Sequence, residues 1–202
     1  MSLKVKTFRV VSVVVILLLL AGGGLTLGQI FGIGTFTGGT LSIKYQLTKS
    51  ENDPSPGTLT MNIAPAQGGK FQVTETFEMV TTADQMQVLV FSHGFAHIPK
   101  GYLDMTPIQA LDTRPVEAGK EILLPDGAKL VTQEEVTIAG ITAVKGIYTH
   151  PKYEDQRAII AISDLETRKI MPYPPFLRIE RNEGSAWNLI ALTELLSIER
   201  TD

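Results

Sequence analysis

Cysteine is absent from all 202 residues. The chain therefore has no disulfide framework, no thiol nucleophile and no cysteine-ligated metal. The same absence removes the acylation site that a bacterial lipoprotein carries after its apolar segment. Clustered positive charge is missing too. Of the 18 Lys and Arg, Lys4, Lys6 and Arg9 stand at the extreme N-terminus, and all 21 Asp and Glu follow them. The rest of the chain is thus mildly acidic, which excludes nucleic acid as a partner, because that binding needs grouped Lys and Arg to neutralise phosphates.

Catalytic signatures are equally scarce. There is no Gly-x-Ser-x-Gly, and no glycine-rich loop follows a strand and opens a helix. The acid pairs Glu134-Glu135 and Glu154-Asp155 are sequence neighbours, and neighbours on a strand point to opposite faces. His93 and His97 have the i, i+4 spacing of a helical zinc pair, with His150 as a third imidazole. Gly94 stands where a metalloprotease has its general base, and Gly94 and Pro99 both oppose a helix there. On a strand the two rings would sit about 13 Å apart, too far for one ion. The expectation is a non-enzyme with no catalytic residue, no cofactor and no metal.

One run without charge carries the main signal. Nothing between Val10 and Ile43 is charged, a span of 34 residues. As a helix, Val10–Ile33 would be roughly 36 Å long at about 1.5 Å per residue, enough to cross a hydrocarbon core of about 30 Å with some tilt. The basic flank precedes it, so the N-terminus is expected in the cytoplasm and the remainder in the periplasm or outside the cell. A cleaved signal peptide is the rival, since Val10–Leu20 has the length of its apolar core and Ala21-Gly22-Gly23 offers small residues for cleavage. Apolar character running a dozen residues further favours a retained anchor.

Gly24, Gly28 and Gly32 recur every four residues along that stretch. In water each mid-helix glycine costs about 1 kcal/mol relative to alanine. In lipid a small-residue stripe lets another helix approach closely. These three glycines are the candidate packing face, for self-association or for a larger integral membrane complex. Glycine is also simply common in membrane helices, and composition alone could produce the register.

Beyond residue 40 the pattern is period two, the mark of half-buried strands. Leu41, Ile43, Tyr45 and Leu47 alternate with polar residues. Leu59–Ile63 and Phe71–Met79 form a hairpin with one Thr-rich face, and Met86–Phe91 reads as a central strand. His93 to Glu117, rich in Pro and Gly, reads either as a long loop or as a short helix around Ile108–Asp112. Strands resume at Ile122–Leu124, Lys129–Val131, Val136–Ile138, Ile141–Thr149 and Arg157–Ser163. Pro125-Asp126-Gly127 supplies turn chemistry between the first two of these. Phe176–Arg181 and Ala186–Leu196 close the chain as a hairpin, with Trp187 expected as a core anchor.

The organisation expected is therefore a basic tail over residues 1–9, a transmembrane helix over 10–33 and a mainly β domain over 34–202. That domain is either an antiparallel β-sandwich or a curved, half-barrel-like sheet. Pro172, Tyr173, Pro174, Pro175 and Phe176, after Met171, make a stiff extended segment. It either docks in a partner's groove or crosses between strands with Tyr173 and Phe176 capping the core. Two functions fit. One is a non-catalytic single-pass accessory or scaffold subunit of a membrane complex. The other is a membrane-anchored binding module for a lipid or other apolar ligand. A filled interior with an exposed apolar patch favours the first, and an apolar concave pocket favours the second.

Overall fold

The computed structural model describes residues 14–15, 36, 38–48, 51, 56–80 and 103–201. The protein is mainly β. Its strands are β1 (Val14–Val15), β2 (Thr40–Thr48), β3 (Gly57–Ala66), β4 (Lys70–Glu78), β5 (Glu121–Leu123), β6 (Lys129–Ile138), β7 (Ile141–Thr149), β8 (Gln156–Ser163), β9 (Phe176–Asn182) and β10 (Trp187–Thr201). One six-residue helix, α1 (Leu165–Ile170), precedes β9. Among the described residues, ten strands join edge to edge in a single sheet, ordered β1-β4-β3-β2-β10-β9-β8-β7-β6-β5. Every pairing is antiparallel.

Two meanders make this sheet, one from β2 to β4 and one from β5 to β10. They are joined where the last strand pairs with the first long one, Leu195 opposite Tyr45 and Thr201 opposite Thr40. β10 can serve both because it is 15 residues long. Its first half pairs with β9 and its second half with β2, with a register shift in each ladder.

The alternation decides which face is buried. Leu41, Ile43 and Tyr45 on β2 and Leu59, Met61 and Ile63 on β3 are buried, while Ser42, Lys44, Thr60 and Asn62 face outward. The same face continues through Leu195 on β10, Leu177 and Ile179 on β9, Ile160 on β8, Tyr148 on β7 and Leu130 on β6. Two core clusters lie on it. One is built on β6–β9 and is covered by the segment 103–111, including the 3-10 turn Thr106–Leu111. The other is built on β2, β3 and β10 and is covered by Met171 and Tyr173.

Strand β6 differs from expectation. Lys129–Val131 and Val136–Ile138 read as two separate strands, yet β6 is continuous and absorbs one extra residue in a bulge between Thr132 and Glu135. Opposite the bulge, Gly146 pairs with Thr132. A Cβ on Gly146 would stand 2.8 Å from the Val131 carbonyl oxygen, so the close approach of β6 to β7 requires glycine there.

At the N-terminus, Val14 and Val15 pair with Glu75 and Thr74 on the free edge of β4. A transmembrane helix through these two residues and this bridge exclude one another. The rest of the expected span Val10–Ile33 lies outside the described residues, as does the expected strand Met86–Phe91. No described helix is long and apolar enough to cross a membrane.

Candidate functional site

The inner face of the sheet is closed by the chain's own segments. Arg168 of α1 is 3% exposed and donates to the Leu111 carbonyl at 2.6 Å and to the Arg114 carbonyl at 3.0 Å, tying α1 to the end of the 3-10 turn. Burial lowers its pKa, against the opposing charges of Asp112 and Asp164. Asp164 caps α1 by accepting from the backbone N–H groups of Glu166 and Thr167.

The proline segment is part of this closure. Met171, Pro174 and Pro175 are buried, and Pro172, Tyr173 and Phe176 are half-buried. The Tyr45 hydroxyl donates to the Tyr173 carbonyl at 2.9 Å, and the two rings meet edge to face at 5.7 Å. Burial pushes the Tyr173 hydroxyl up to about 12. The Leu195 N–H donates to the Pro175 carbonyl at 2.8 Å. These contacts are those of a crossover that caps the core. They are not those of a segment held away from the domain.

The outer face carries an ion network that the sequence did not announce. Glu180 accepts from Arg157 at 2.7 Å and from Arg178 at 2.6 Å, and Arg178 also pairs with Glu51. Register explains it: Arg157 stands opposite Glu180 across β8 and β9. The Glu180 side chain is only 5% exposed. Burial alone would raise its pKa, but the hydrogen bonds from Arg178 and Arg157 outweigh that and hold the carboxyl below its usual range. Arg157 also stacks on Trp187, its guanidinium carbon 4.1 Å from the ring centre. Trp187 is half-buried on this outer face and belongs to neither core cluster, a correction to the core anchor expected of it.

Beside Trp187 runs an open groove of about 660 Å³, floored by Ile147 and walled by Leu123, Lys129, His150 and Arg157. Val131 pairs with Ile147 and Ile147 with Ile159, so an apolar row crosses three strands here. Leu123 is 74% exposed and Val131 37%. A second open groove of about 480 Å³ lies between Val116, Val144 and Leu165.

His150, buried at one end of the larger groove, accepts the Lys152 N–H at Nδ1 (3.1 Å) and packs edge to face on Tyr153. Nearby Asp104 has its pKa lowered. Burial opposes ionisation, and the hydrogen bonds from Thr106 outweigh it. His150 thus orders the turn between β7 and β8. Among the described residues no three His, Asp or Glu side chains gather as metal ligands. His93 and His97 lie outside the described residues, as do Gly24, Gly28 and Gly32.

Comparison with protein-family models, with characterised proteins and with solved structures gave no match.

Proposed function

We propose that the chain is a non-catalytic, single-pass accessory subunit of an integral membrane complex, its β domain serving as a docking platform on the periplasmic or outer side. The observation that supports this reading is a contrast between faces. The inner face is filled by the chain itself, while the outer face leaves Leu123 and Val131 exposed beside the Trp187–Arg157 stack. A contiguous apolar row that folding does not use, next to Trp and Arg, has the composition of an interface centre.

The anchor follows from magnitudes. The bridge of Val14–Val15 to β4 involves two residue pairs, worth about 0.5–1.5 kcal/mol for each backbone hydrogen bond. Each Val, Ile, Leu or Phe within Val10–Ile33 contributes about 0.3–0.6 kcal/mol at the centre of a membrane helix, and together they reach several kcal/mol. Where a bilayer is present, the helix wins. The test is an alkaline wash of membranes followed by purification in mild detergent. The account expects the chain to stay in the pellet, and a stoichiometric partner to be lost in Leu123→Asp. A chain released by the wash would contradict it.

The binding-module alternative draws on the cover. Ile138 and Ile141 of the β6–β7 hairpin pack into the cluster built on β2, β3 and β10. In a flat sheet β6 would lie four ladder positions from β10, roughly 19 Å at about 4.8 Å per strand. The sheet therefore reads as curled, half-barrel-like, around its cover. Arg168 clasps the two parts of that cover, and releasing them would uncover an apolar trough suited to an acyl chain.

A further inference from the structure

We propose that one end of the β domain rests directly on the bilayer surface through Phe36, Phe71, Lys70 and Arg200, so that the domain is seated on the lipid rather than held off it. The proposal rests on the anchored reading above and specifies how the anchored domain sits.

The topology gathers these residues at one end of the sheet. Thr40, the start of β2, is opposite Thr201, and Leu41 is opposite Ile63 near the end of β3. Ala66 pairs with Lys70 across the turn Gln67-Gly68-Gly69-Lys70. Gly68 and Gly69 in this three-residue loop have φ of +73° and +70°, left-handed values that glycine adopts without steric cost. The turn fixes the next residue, Phe71, at the tip, 38% exposed. The Phe71 ring meets Phe36 edge to face at 5.0 Å, and the Arg200 guanidinium lies 5.9 Å from the Phe36 ring centre. Lys70 is exposed beside them.

Chain length then sets the height. Phe36 follows Ile33, the end of the expected span, by three residues, which reach at most about 11 Å. The headgroup layer on each side is about 5–7 Å thick. Phe36 is therefore held at or just above the headgroups, and Phe71 in contact with it is held at the same level. Phe rings beside basic residues settle at the headgroup–acyl boundary, and exposed Lys70 suits anionic headgroups.

The experiment uses the full chain in phosphatidylcholine–phosphatidylglycerol vesicles. Trp187→Phe removes the single tryptophan, and Phe71→Trp or Leu123→Trp then places one probe. With brominated acyl chains in the vesicles, the probe at 71 is expected to lose most of its emission and the probe at 123 to keep it. Undiminished emission at 71, with the chain retained after an alkaline wash, would overturn the seating while leaving the anchor intact. Release of the chain by the wash would overturn both. A second measurement on the unaltered protein guards against a folding defect in the variants. Trypsin cleavage after Lys70 is expected to slow markedly in vesicles relative to detergent, while cleavage after exposed Lys152 is unchanged. Equal rates at Lys70 would overturn the seating.

Discussion

The hydroxyl of Tyr45, in the middle of β2, donates to the backbone carbonyl of Tyr173, 128 residues later, at 2.9 Å. The bond is half-buried and fixes the proline-rich crossover over the second core cluster. Tyr45→Phe keeps the ring and deletes the donor, leaving the carbonyl short of a partner. The expected cost is about 1–2 kcal/mol, read as a lower denaturant midpoint with an unchanged slope. An unaltered midpoint would mean that the crossover is held by packing alone.

Arg168 makes the corresponding link on the other side. Arg168→Met retains much of the apolar stem and removes the donors to Leu111 and Arg114. The half-buried Arg114 carbonyl then loses this donor, while the buried Leu111 carbonyl keeps only the Arg114 N–H, at roughly 1–3 kcal/mol in all. Hydrogen exchange is expected to quicken for the amides of Ile108 and Arg114, whose bonds close the 3-10 turn, before the β8 and β9 amides change. If the same variant also takes up an apolar fluorescent probe that the parent excludes, the binding-module reading gains over the accessory one.

Glu180 supplies a pH dependence whose sign can be worked out. Its folded pKa lies below the ordinary value of 4.5. The stabilisation is therefore fully present above about pH 4.5 and is lost as the pH falls through the depressed folded value. In Glu180→Gln this acid-side loss is expected to shrink, with lower stability at neutral pH because Arg157 and Arg178 lose their shared anion. Identical stability–pH curves for the two proteins would show that the network contributes nothing to folding.

Gly146→Ala probes the bulge. The added methyl would meet the Val131 carbonyl at 2.8 Å and the Thr132 Cα at 3.0 Å, both backbone atoms that cannot swing aside. Destabilisation of about 1–3 kcal/mol is expected, against a smaller loss for Gly140→Asn, where the added side chain meets open space and the only cost is the left-handed φ of +81°, to which asparagine is better suited than other side chains.

The strands were legible where one face is buried, because burial imposes period two: Leu41 to Leu47 and Leu59 to Ile63 fall where the alternation put them. The hairpin turns were legible from their glycines. Pairing of β2 with β10 was not, since alternation says which face is wet and nothing about which strand is adjacent. The six residues of α1 were too short for helical periodicity. The signal that marks them is local: Asp164 as cap, Glu166 in the first turn, and Arg168 and Lys169 in the last. Trp187 was misjudged because an aromatic at a strand start looks like core, while its partner Arg157 comes from a different strand and is invisible until the register of β8, β9 and β10 is known. The outer network was hidden for the same reason.

The glycine face of the N-terminal segment carries the central claim and is the place to test it most directly. The tagged full-length protein and Gly28→Leu would be purified side by side in mild detergent, and the co-purifying membrane proteins would be quantified by mass spectrometry. The account predicts a stoichiometric integral membrane partner with the wild type and its loss with Gly28→Leu, both proteins remaining in the membrane fraction. A wild-type protein that purifies alone with bound lipid, unchanged by the substitution, would contradict the accessory-subunit reading and leave the binding module in its place.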